Sequence, residues 1–457
     1  MKKVFTHLLV LSALFVFSSK GFAHQKIEFE DSFKWCVSSS AHQIEGGNDQ
    51  SDWWDWELLP GKTRKGASSG SSVDHWNNTF LDAYLLKSLK VNQYRMSIEW
   101  AKIEPEQGQW DWQVVAHYVK EFAYLKLAGV EPVVTLHHYT FPRWVRENGG
   151  WRWSGINQAF TRYASFLYSI FGSQVKNWIT IHHPVGEVVG GYLTDLFPPG
   201  VNNFSQAVQA LRGMLTTHAD VYHLLHELAE QEGEELRVGV AKQLRAFSPY
   251  FSWDPLDVQM SVRLDEVFNW MFIDAIDTGV FKFEMRGEVS VNEVIPGLKG
   301  TQDFLGANYF SRDMVDVSLF GDEKFNLRVK DDAPVSDVGW EIYPQGLLEL
   351  LKEAHKRYPK LAIWVTENAV AASDDKIKID YIKSHLKSVH EAMEAGVPVE
   401  GYCYGSFIDG FEWNDGFDAK YGLFRVEKDD QNKQLRHVTD TVKFWIDIMD
   451  NKGFESK

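Results

Sequence analysis

The sequence predicts an α/β protein, a closed (β/α)8 TIM barrel that forms a single domain. Eight short β-rich runs alternate with amphipathic stretches of helical periodicity, which is the element order of a parallel barrel. No glycine-rich phosphate-binding loop follows an early strand, which argues against an open dinucleotide-binding sheet. No linker rich in Pro, Gly or Ser divides the 457 residues, and α/β barrels reach this length as one domain.

Runs rich in β-branched and aromatic residues predict the eight strands. In chain order they are Phe33–Ser39, Val91–Ser97, Val130–His137, Lys176–His182, Leu236–Gln243, Thr301–Tyr309, Ala362–Glu367 and Val399–Ser406. Apolar residues that recur with a helical period predict helices between the strands. The clearest are Thr79–Leu89, Gln113–Ala128, Ile156–Phe171, Phe204–Glu230, Gln345–Arg357 and Lys376–Ala395.

Residues 1–23 have the pattern of an export signal, which assigns residues 24–457 to the barrel. Lys2 and Lys3 provide a charged start, an apolar run from Leu8 to Phe17 follows, and Gly21–Ala23 has small residues for cleavage. The apolar run is too short to span a bilayer. We therefore expect a secreted or periplasmic protein without a membrane partner after cleavage.

Charge and cysteine content restrict the partners and the covalent structure. The formal net charge is −16, with no polybasic patch, so nucleic acid and anionic membranes are not expected partners. The two cysteines, Cys36 and Cys403, lie on the first and last predicted strands, which are neighbours in a closed barrel. A strand spacing of about 4.8 Å permits a disulfide. Two buried thiols are the favoured expectation, because a disulfide also requires that both side chains share a face.

Polar side chains cluster where the predicted strands end. A (β/α)8 barrel carries its chemistry at the carboxyl ends of its strands. Glu367 ends the seventh predicted strand, and other polar residues end or follow their strands in the same way: Gln43, His138, His182, His183, Asn308 and Tyr309. The sequence therefore predicts a polar cleft at one rim of the barrel.

Motifs in register with these strands resemble glycoside hydrolase family 1, the β-glucosidase-like retaining enzymes. The matching segments are Phe33–Gly47, Tyr94–Trp100, Leu136–Tyr139, Phe197–Gly200, Asp303–Tyr309, Trp364–Asn368 and Asp409–Trp413. The resemblance implies a (β/α)8 barrel that hydrolyses O-glycosidic bonds of small β-glycosides. It also implies a small-molecule carbohydrate substrate and no cofactor.

The resemblance assigns roles to individual residues. Glu367 takes the position of the catalytic nucleophile, and Arg95 and Asn308 support it. Tyr309 is expected both to hold the nucleophile and to contact substrate. The other residues expected around the sugar are Gln43, His138, His182, Glu412 and Trp413. The Glu412 carboxylate indicates an unphosphorylated sugar, because members that act on phosphorylated sugars usually lack an acid there.

Three positions depart from the family pattern. His183 stands at the position of the acid/base glutamate, and His182 at that of an asparagine that contacts the sugar 2-hydroxyl. Gly405 replaces a tryptophan beside the sugar. The resemblance therefore implies a pocket that is altered and wider than in other members.

The change at residue 183 leaves the proton donor open. Retaining hydrolysis needs one group that attacks and another, about 5–5.5 Å away, that protonates the leaving oxygen. His183 is the direct candidate, because imidazole titrates near neutrality and an ionised Glu367 would raise its pKa. Glu187 is a second candidate, although the dipole of a helix favours a carboxylate in its first turn for structural reasons alone. The third alternative is that no residue replaces the acid.

A metal site is a further alternative. Two histidine pairs, His137–His138 and His182–His183, end adjacent predicted strands, and two imidazoles with the Glu367 carboxylate could bind zinc. Strand alternation is expected to point one histidine of each pair inward. We favour the alternative in which no metal binds, His138 contacts sugar and His137 packs in the core.

Two functions are consistent with these residues. The first is a secreted, retaining β-glycosidase with Glu367 as nucleophile and an altered acid/base group at His183. The second is a carbohydrate-binding pseudo-glycosidase that kept the fold and lost turnover. The retained nucleophile favours the first function, which we adopt, and the double histidine change favours the second.

Overall fold

In the computed structural model, eight parallel strands close into a barrel, which confirms the predicted fold class. The structure describes residues 25–285, 289–318, 325–431 and 433–456, so the predicted export segment lies outside the described residues. The barrel strands, β1 to β8 in chain order, are Lys34–Ser38, Gln93–Ser97, Glu131–His137, Asn177–His182, Arg237–Pro249, Phe304–Asp316, Ala362–Asn368 and Val399–Gly405. Each strand pairs in parallel with the next, and β8 pairs with β1.

One main helix follows each barrel strand. These helices, α1 to α8, are His75–Ser88, Trp112–Ala128, Ile156–Phe171, Phe204–Glu232, Met271–Thr278, Pro344–Arg357, Asp375–Glu394 and Asp440–Asn451. Their ends follow local sequence signals. The Asp111 carboxylate accepts hydrogen bonds from the first free amides of α2, and Gly129 ends that helix in the left-handed conformation.

Shorter elements connect the main ones. Short helices are Ala41–Ile44, Asp52–Glu57, Trp100–Ile103, Arg143–Glu147, Pro184–Tyr192, Pro255–Leu264 and Asp265–Trp270. Single helical turns are Arg64–Gly66, Gly150–Arg152, Gly172–Gln174 and Trp413–Asp415. Three antiparallel pairs lie outside the barrel: Gln25–Glu28 with Gly453–Ser456, Val280–Met285 with Val289–Val294, and Arg425–Lys428 with Gln434–His437. Within the described part of the chain, none of the helices has both the length and the apolar character that crossing a membrane requires.

Two strands are longer than the sequence predicted. β5 and β6 continue in parallel register as far as Pro249 and Val315, well beyond Gln243 and Tyr309. This extension is stable because β6 also pairs with the strand Asn326–Arg328, so its backbone groups keep hydrogen-bond partners.

Cys36 and Cys403 form a disulfide between β1 and β8. The two residues are direct partners in the strand register, with Cα atoms 4.1 Å apart, so their side chains share a face. Both are fully buried. The expectation of two buried thiols was therefore wrong.

Candidate active site

A cavity of about 500 Å³ opens at the carboxyl ends of the barrel strands. This volume is typical of pockets for small organic ligands. Polar residues that line it include Ser38, Gln43, His138, His182, His183, Gln243, Arg245, Glu367 and Glu412. Predicted residues from five separate chain segments therefore meet in one cavity.

Glu367 presents one oxygen to the protein and the other to the cavity. Its Oε2 accepts hydrogen bonds from Arg95 Nη1 at 2.8 Å and from Asn308 Nδ2 at 3.1 Å. Its Oε1 has no hydrogen-bond partner among the described residues, and the side chain is 20% exposed. Burial raises the pKa of Glu367, and the Arg95 guanidinium opposes that rise.

Arg95 also determines the protonation of His182. Its Nη2 lies 2.6 Å from His182 Nδ1, and a guanidinium only donates hydrogen bonds. His182 Nδ1 is therefore the acceptor, and this hydrogen bond assigns the imidazole proton to Nε2. Burial lowers the pKa of His182, as it does for His138, which stacks on it with ring centroids 3.6 Å apart.

Both nitrogens of His183 are engaged in the cavity wall. Nε2 lies 2.7 Å from Asn308 Nδ2, and Nδ1 lies 2.8 Å from the Tyr139 hydroxyl. The Asn308 amide is oriented by donating to Glu367 and by accepting from Thr366 Oγ1 at 2.6 Å. His183 Nε2 is thus an acceptor, which assigns the imidazole proton to Nδ1, where it is donated to Tyr139.

The electrostatic expectation for His183 was wrong. Burial lowers its pKa well below the usual range, and the charges of Arg95 and Lys242 lower it further. We expected Glu367 to raise this pKa. The neutral form dominates because burial disfavours a charged imidazole and two cations lie nearby.

The inward orientation of both His182 and His183 also differs from the prediction. His183 adopts the left-handed conformation with φ 47°, immediately after β4 ends. The alternation of a strand therefore does not extend to residue 183. Both rings line the cavity and stack on each other with centroids 3.6 Å apart.

The cavity has a polar end around Gln43 and Glu412, with an unsatisfied acceptor. Gln43 Nε2 donates to Glu412 Oε2 at 2.7 Å, whereas Glu412 Oε1 is buried without a partner among the described residues. Burial and the charge of Glu367 raise the pKa of Glu412 well above its usual range. Trp413 stacks near His138, with ring centroids 5.9 Å apart. A ligand hydroxyl would satisfy the free oxygen of Glu412.

Tyr309 is not in the cavity, which corrects its predicted contacts with nucleophile and substrate. Its hydroxyl donates to the carbonyl of Tyr343 at 2.6 Å, and the residue is fully buried. Successive residues of β6 point to opposite faces: Asn308 contacts Glu367 and Phe310 lines the cavity, whereas Tyr309 faces the surrounding helices.

Glu187 and His137 contact each other outside the cavity lining. His137 Nε2 lies 2.9 Å from Glu187 Oε2, and Trp151 Nε1 donates to Glu187 Oε1 at 2.7 Å. Glu187 lies in the first turn of the helix Pro184–Tyr192. His137 therefore packs outside the cavity, as expected. Glu187 has a structural role in the first turn of its helix, which was the alternative to a role as proton donor.

One group of side chains has the composition of a metal site. Nitrogen atoms of His182 and His183 and an oxygen of Glu367 lie within 4.8 Å of one another. His182 Nδ1, His183 Nε2 and Glu367 Oε2 accept hydrogen bonds from Arg95 and Asn308. A metal ion bound through these three atoms would have to displace the donors beside a permanent cation, so the arrangement does not favour one.

Comparisons with known proteins identify the family. The model of the family described as glycosyl hydrolase family 1 matches residues 25–454. The chain belongs to glycosyl hydrolase family 1. It is 29% identical to Beta-glucosidase A of Thermotoga maritima, over 94% of this chain and 99% of that protein. It is 28% identical to a 6-phospho-beta-glucosidase of Bacillus subtilis, with 94% and 99% of the two chains covered.

Solved structures agree with the assignment to family 1. A beta-glycosidase from Pyrococcus horikoshii has a TM-score of 0.84 and 30% identity, covering 94% of this chain and 97% of that one. The beta-glucosidase from Thermotoga maritima in complex with glucoimidazole has a TM-score of 0.86 and 28% identity, covering 94% and 100%.

Several cavity residues of this family 1 chain were not predicted as site residues. Tyr139, Gln243, Arg245, Phe310 and Trp340 all line the cavity. Tyr139 and Phe310 directly follow predicted site residues, so a shift of one position would have identified them. Trp340 lies in a loop far from any strand end, and no local signal marks it.

Proposed function

We propose that the protein is a β-glycosidase that cleaves O-glycosidic bonds of small β-glycosides by a retaining mechanism, with Glu367 as the nucleophile. The observation that carries this proposal is that the two carboxylate oxygens of Glu367 have different environments. Arg95 and Asn308 hold Oε2, while Oε1 has no partner among the described residues and belongs to a side chain that lines the cavity. A carboxylate held in this way is oriented for attack on an anomeric carbon.

The polar end of the cavity supports an unphosphorylated sugar as the ligand. Gln43, His138, Glu412 and Trp413 lie together there, and Glu412 offers a buried oxygen without a partner. A phosphate would meet the acidic groups Glu367 and Glu412 rather than a cation. Solved complexes of the Thermotoga maritima enzyme with glucoimidazole and deoxynojirimycin support a small carbohydrate-like ligand.

The acid/base function is altered in this proposal. His183 is neutral, donates its one proton to Tyr139 and accepts from Asn308, so it has no free proton to donate to a leaving group. The Glu187 carboxylate is held by His137 and Trp151. Absence of general acid catalysis costs roughly 10²–10⁴-fold in rate, and the cost is smallest for leaving groups that depart as anions.

The chemical steps follow from this arrangement. Glu367 Oε1 forms a bond to the anomeric carbon while the bond to the aglycone oxygen breaks, and the electron pair leaves on that oxygen. Water then attacks the anomeric carbon, the ester bond to Glu367 breaks, and the water proton is released to solvent. The sugar product retains its anomeric configuration because two inversions occur in sequence.

A carbohydrate-binding pseudo-glycosidase is the second candidate. The observation that favours it is the histidine pair, since both ring nitrogens of His183 are engaged in hydrogen bonds and burial lowers the pKa of both imidazoles. In that function the cavity binds sugar and Glu367 does not turn substrate over.

A burst experiment distinguishes the two candidates. Wild type is mixed with 2,4-dinitrophenyl β-glycosides of several sugars, and release of the phenol is followed in the first turnover. We expect a stoichiometric burst and a mass adduct on Glu367 after treatment with the matching 2-fluoro glycoside, both absent in Glu367→Gln. Sugar binding by calorimetry without a burst or an adduct in wild type would support the pseudo-glycosidase instead.

We also propose that the protein is exported, with residues 1–23 removed. The charged start, apolar run and small-residue site support this, and so does the Cys36–Cys403 disulfide, because disulfides persist in oxidising compartments outside the cytoplasm. The intact mass of protein from the native host tests it. We expect a chain that begins near residue 24 and carries the disulfide, whereas a full-length chain with free thiols would contradict export.

A further inference from the structure

Beyond His183, the cavity wall becomes aromatic. The ring of Phe310 packs edge-on to His183 with centroids 6.1 Å apart, and Trp340 lies 6.1 Å beyond Phe310. The cavity as a whole has further apolar lining residues: Val189, Leu196, Phe197, Phe268 and Leu327. This wall differs in character from the polar end around Gln43 and Glu412, so it does not match a second sugar-hydroxyl site.

A single cation lies at the end of this wall. The Arg245 guanidinium lies over the Trp340 ring, 5.2 Å from its centroid, and its side chain is 20% exposed. Arg245 Nε pairs with Asp313 Oδ2 at 2.9 Å. Its two terminal nitrogens have no hydrogen-bond partner in the described ranges. No other Lys or Arg is among the described residues that line the cavity.

These contacts form a continuous path away from the nucleophile. It runs from Glu367 through Asn308 and His183 to Phe310, Trp340 and Arg245, with each member in contact with the next. A glycoside whose anomeric carbon meets Glu367 would extend its aglycone along this path. The cation lies two aromatic rings beyond His183, so it meets a remote substituent rather than the scissile oxygen.

We propose that Arg245 makes the aglycone side of the cavity selective for aromatic groups that carry an anionic substituent, such as a carboxylate. The aromatic ring packs against Phe310 and Trp340, and the anion accepts hydrogen bonds from the terminal nitrogens of Arg245. The inference rests on the proposed function for the position of the sugar. An aromatic aglycone is also consistent with the altered acid/base group, because many aryl oxides leave without prior protonation.

Calorimetric binding to Glu367→Gln tests the proposal without turnover. The probes are 4-carboxyphenyl β-glucoside, its methyl ester and cellobiose. We expect the carboxylate to bind at least about tenfold more tightly than the ester, as a charge-assisted hydrogen bond allows, with a preference that weakens as salt rises. Equal affinities would overturn the anionic part of the proposal, and tighter binding of cellobiose would overturn the aromatic subsite.

Variants of two arginines on the same strand then locate the contact. Arg245→Met in the Glu367→Gln background is expected to abolish the carboxylate preference, and Arg245→Lys to retain part of it. Arg237→Met is the matched control, because Arg237 also pairs with a carboxylate, Glu400, and lies over an aromatic ring at the other end of β5. A preference that survives Arg245→Met, or is lost equally in Arg237→Met, contradicts the assignment.

Two further controls separate folding and chemistry from recognition. Arg245→Met leaves the Asp313 carboxylate without its cation, so Arg245→Met/Asp313→Asn is the variant to use if the single change unfolds the protein. Should wild type lack the burst described above, the preference in binding is still measurable. Failure of the chemistry and failure of the subsite are thus separate results.

Discussion

The hydrogen bonds of His183 determine what this residue can contribute to glycoside cleavage. Asn308 donates to one ring nitrogen, the other donates to Tyr139, and burial keeps the ring neutral. The ring can orient Asn308 and, through it, Glu367. Proton donation to a leaving group would require breaking at least one of these bonds.

This arrangement predicts how the proposed enzyme responds to azide. Azide needs no general base to attack the glycosyl-enzyme. It should therefore accelerate wild-type turnover of activated aryl β-glycosides, for which deglycosylation is slow. The product should be a β-glycosyl azide. His183→Ala should behave like wild type, with activation free energies within about 1 kcal/mol, or about fivefold in rate, because Glu367 and Thr366 still hold Asn308. Steady-state rates and NMR of the product measure both effects.

His183→Glu is the control for this prediction. A carboxylate there should raise turnover of unactivated alkyl glycosides by roughly 10²-fold and remove the azide effect. If azide accelerates only His183→Ala and not wild type, His183 is itself the acid/base group. Circular dichroism should accompany the measurement, because a glutamate tolerates the left-handed backbone of residue 183 less well than histidine does.

Arg95 opposes the rise in the pKa of Glu367 and therefore affects how the proposed reaction depends on pH. Attack requires the ionised carboxylate, burial raises the pKa of Glu367, and Arg95 opposes the rise. Activity is therefore lost as pH falls through this raised pKa. Arg95→Gln should raise the pKa further and move the acid limb of inactivation by a 2-fluoro glycoside to higher pH, while Arg95→Lys should move it less. An acid limb that does not move in Arg95→Gln would show that another group controls it.

At the scale of the element, the end of β8 leaves room for Glu367, the proposed nucleophile. A Cβ atom added to Gly405 would lie 2.6 Å from Glu367 Cγ and 2.7 Å from Ser38 Oγ. Both distances are too short for non-bonded carbon and oxygen atoms, so a larger residue must displace Glu367 or the strand. The glycine therefore permits the present position of the carboxylate.

Gly405→Ala is accordingly expected to impair the proposed reaction. Displacement of a reacting group by about 1 Å can cost roughly 10²-fold, so the rate of 2-fluoro glycoside labelling should fall by at least about tenfold. Ser406→Ala is a neighbouring control, since the Ser406 hydroxyl donates to the Ile408 carbonyl and does not contact Glu367. Unchanged labelling in Gly405→Ala would mean that the backbone adjusts without moving the carboxylate.

At the scale of the whole molecule, one disulfide joins the first strand of the barrel to the last. Cys36 and Cys403 are 367 positions apart in the sequence, and the bond between them closes the ring of strands covalently. A cross-link over so long a loop restricts the unfolded chain more than the folded one. Its contribution therefore concerns the stability of the barrel and not the chemistry of the cavity.

The double variant Cys36→Ala/Cys403→Ala should lower the free energy of unfolding by about 2–5 kcal/mol. Denaturant titration under oxidising and reducing conditions measures this difference. Reductant should lower the stability of wild type and leave the double variant unchanged. If both proteins respond alike to reductant, the cysteines are not bonded in solution.

The sequence allowed prediction of the eight strands, their order and most residues at the rim. Glu367 and His182 lie at strand ends, where the barrel itself determines that they meet. The extended β5 and β6 were not predicted, because their additional residues are held by pairing with each other and with Asn326–Arg328. That pairing is a long-range contact without a local pattern.

Side-chain direction was the part of the site that the sequence left undetermined. Tyr309 was assigned to the wrong face, since the alternation of a strand depends on which of its residues first faces inward. His183 points inward because its backbone leaves the strand conformation. The direction of a side chain does not change the residue types in the sequence, so the family motifs did not show the direction of Tyr309 or His183.

The sequence by itself determined the barrel, the family and the resemblance that makes Glu367 the expected nucleophile. Periodicity and ordered motifs are local properties of the sequence, so they can be recognised without a structure. Only the tertiary structure decided that Glu367 keeps one free oxygen, that His183 has no free proton, and that Arg245 ends an aromatic wall. Those properties depend on hydrogen bonds and burial among residues far apart in the chain, and these exist only once the barrel has closed.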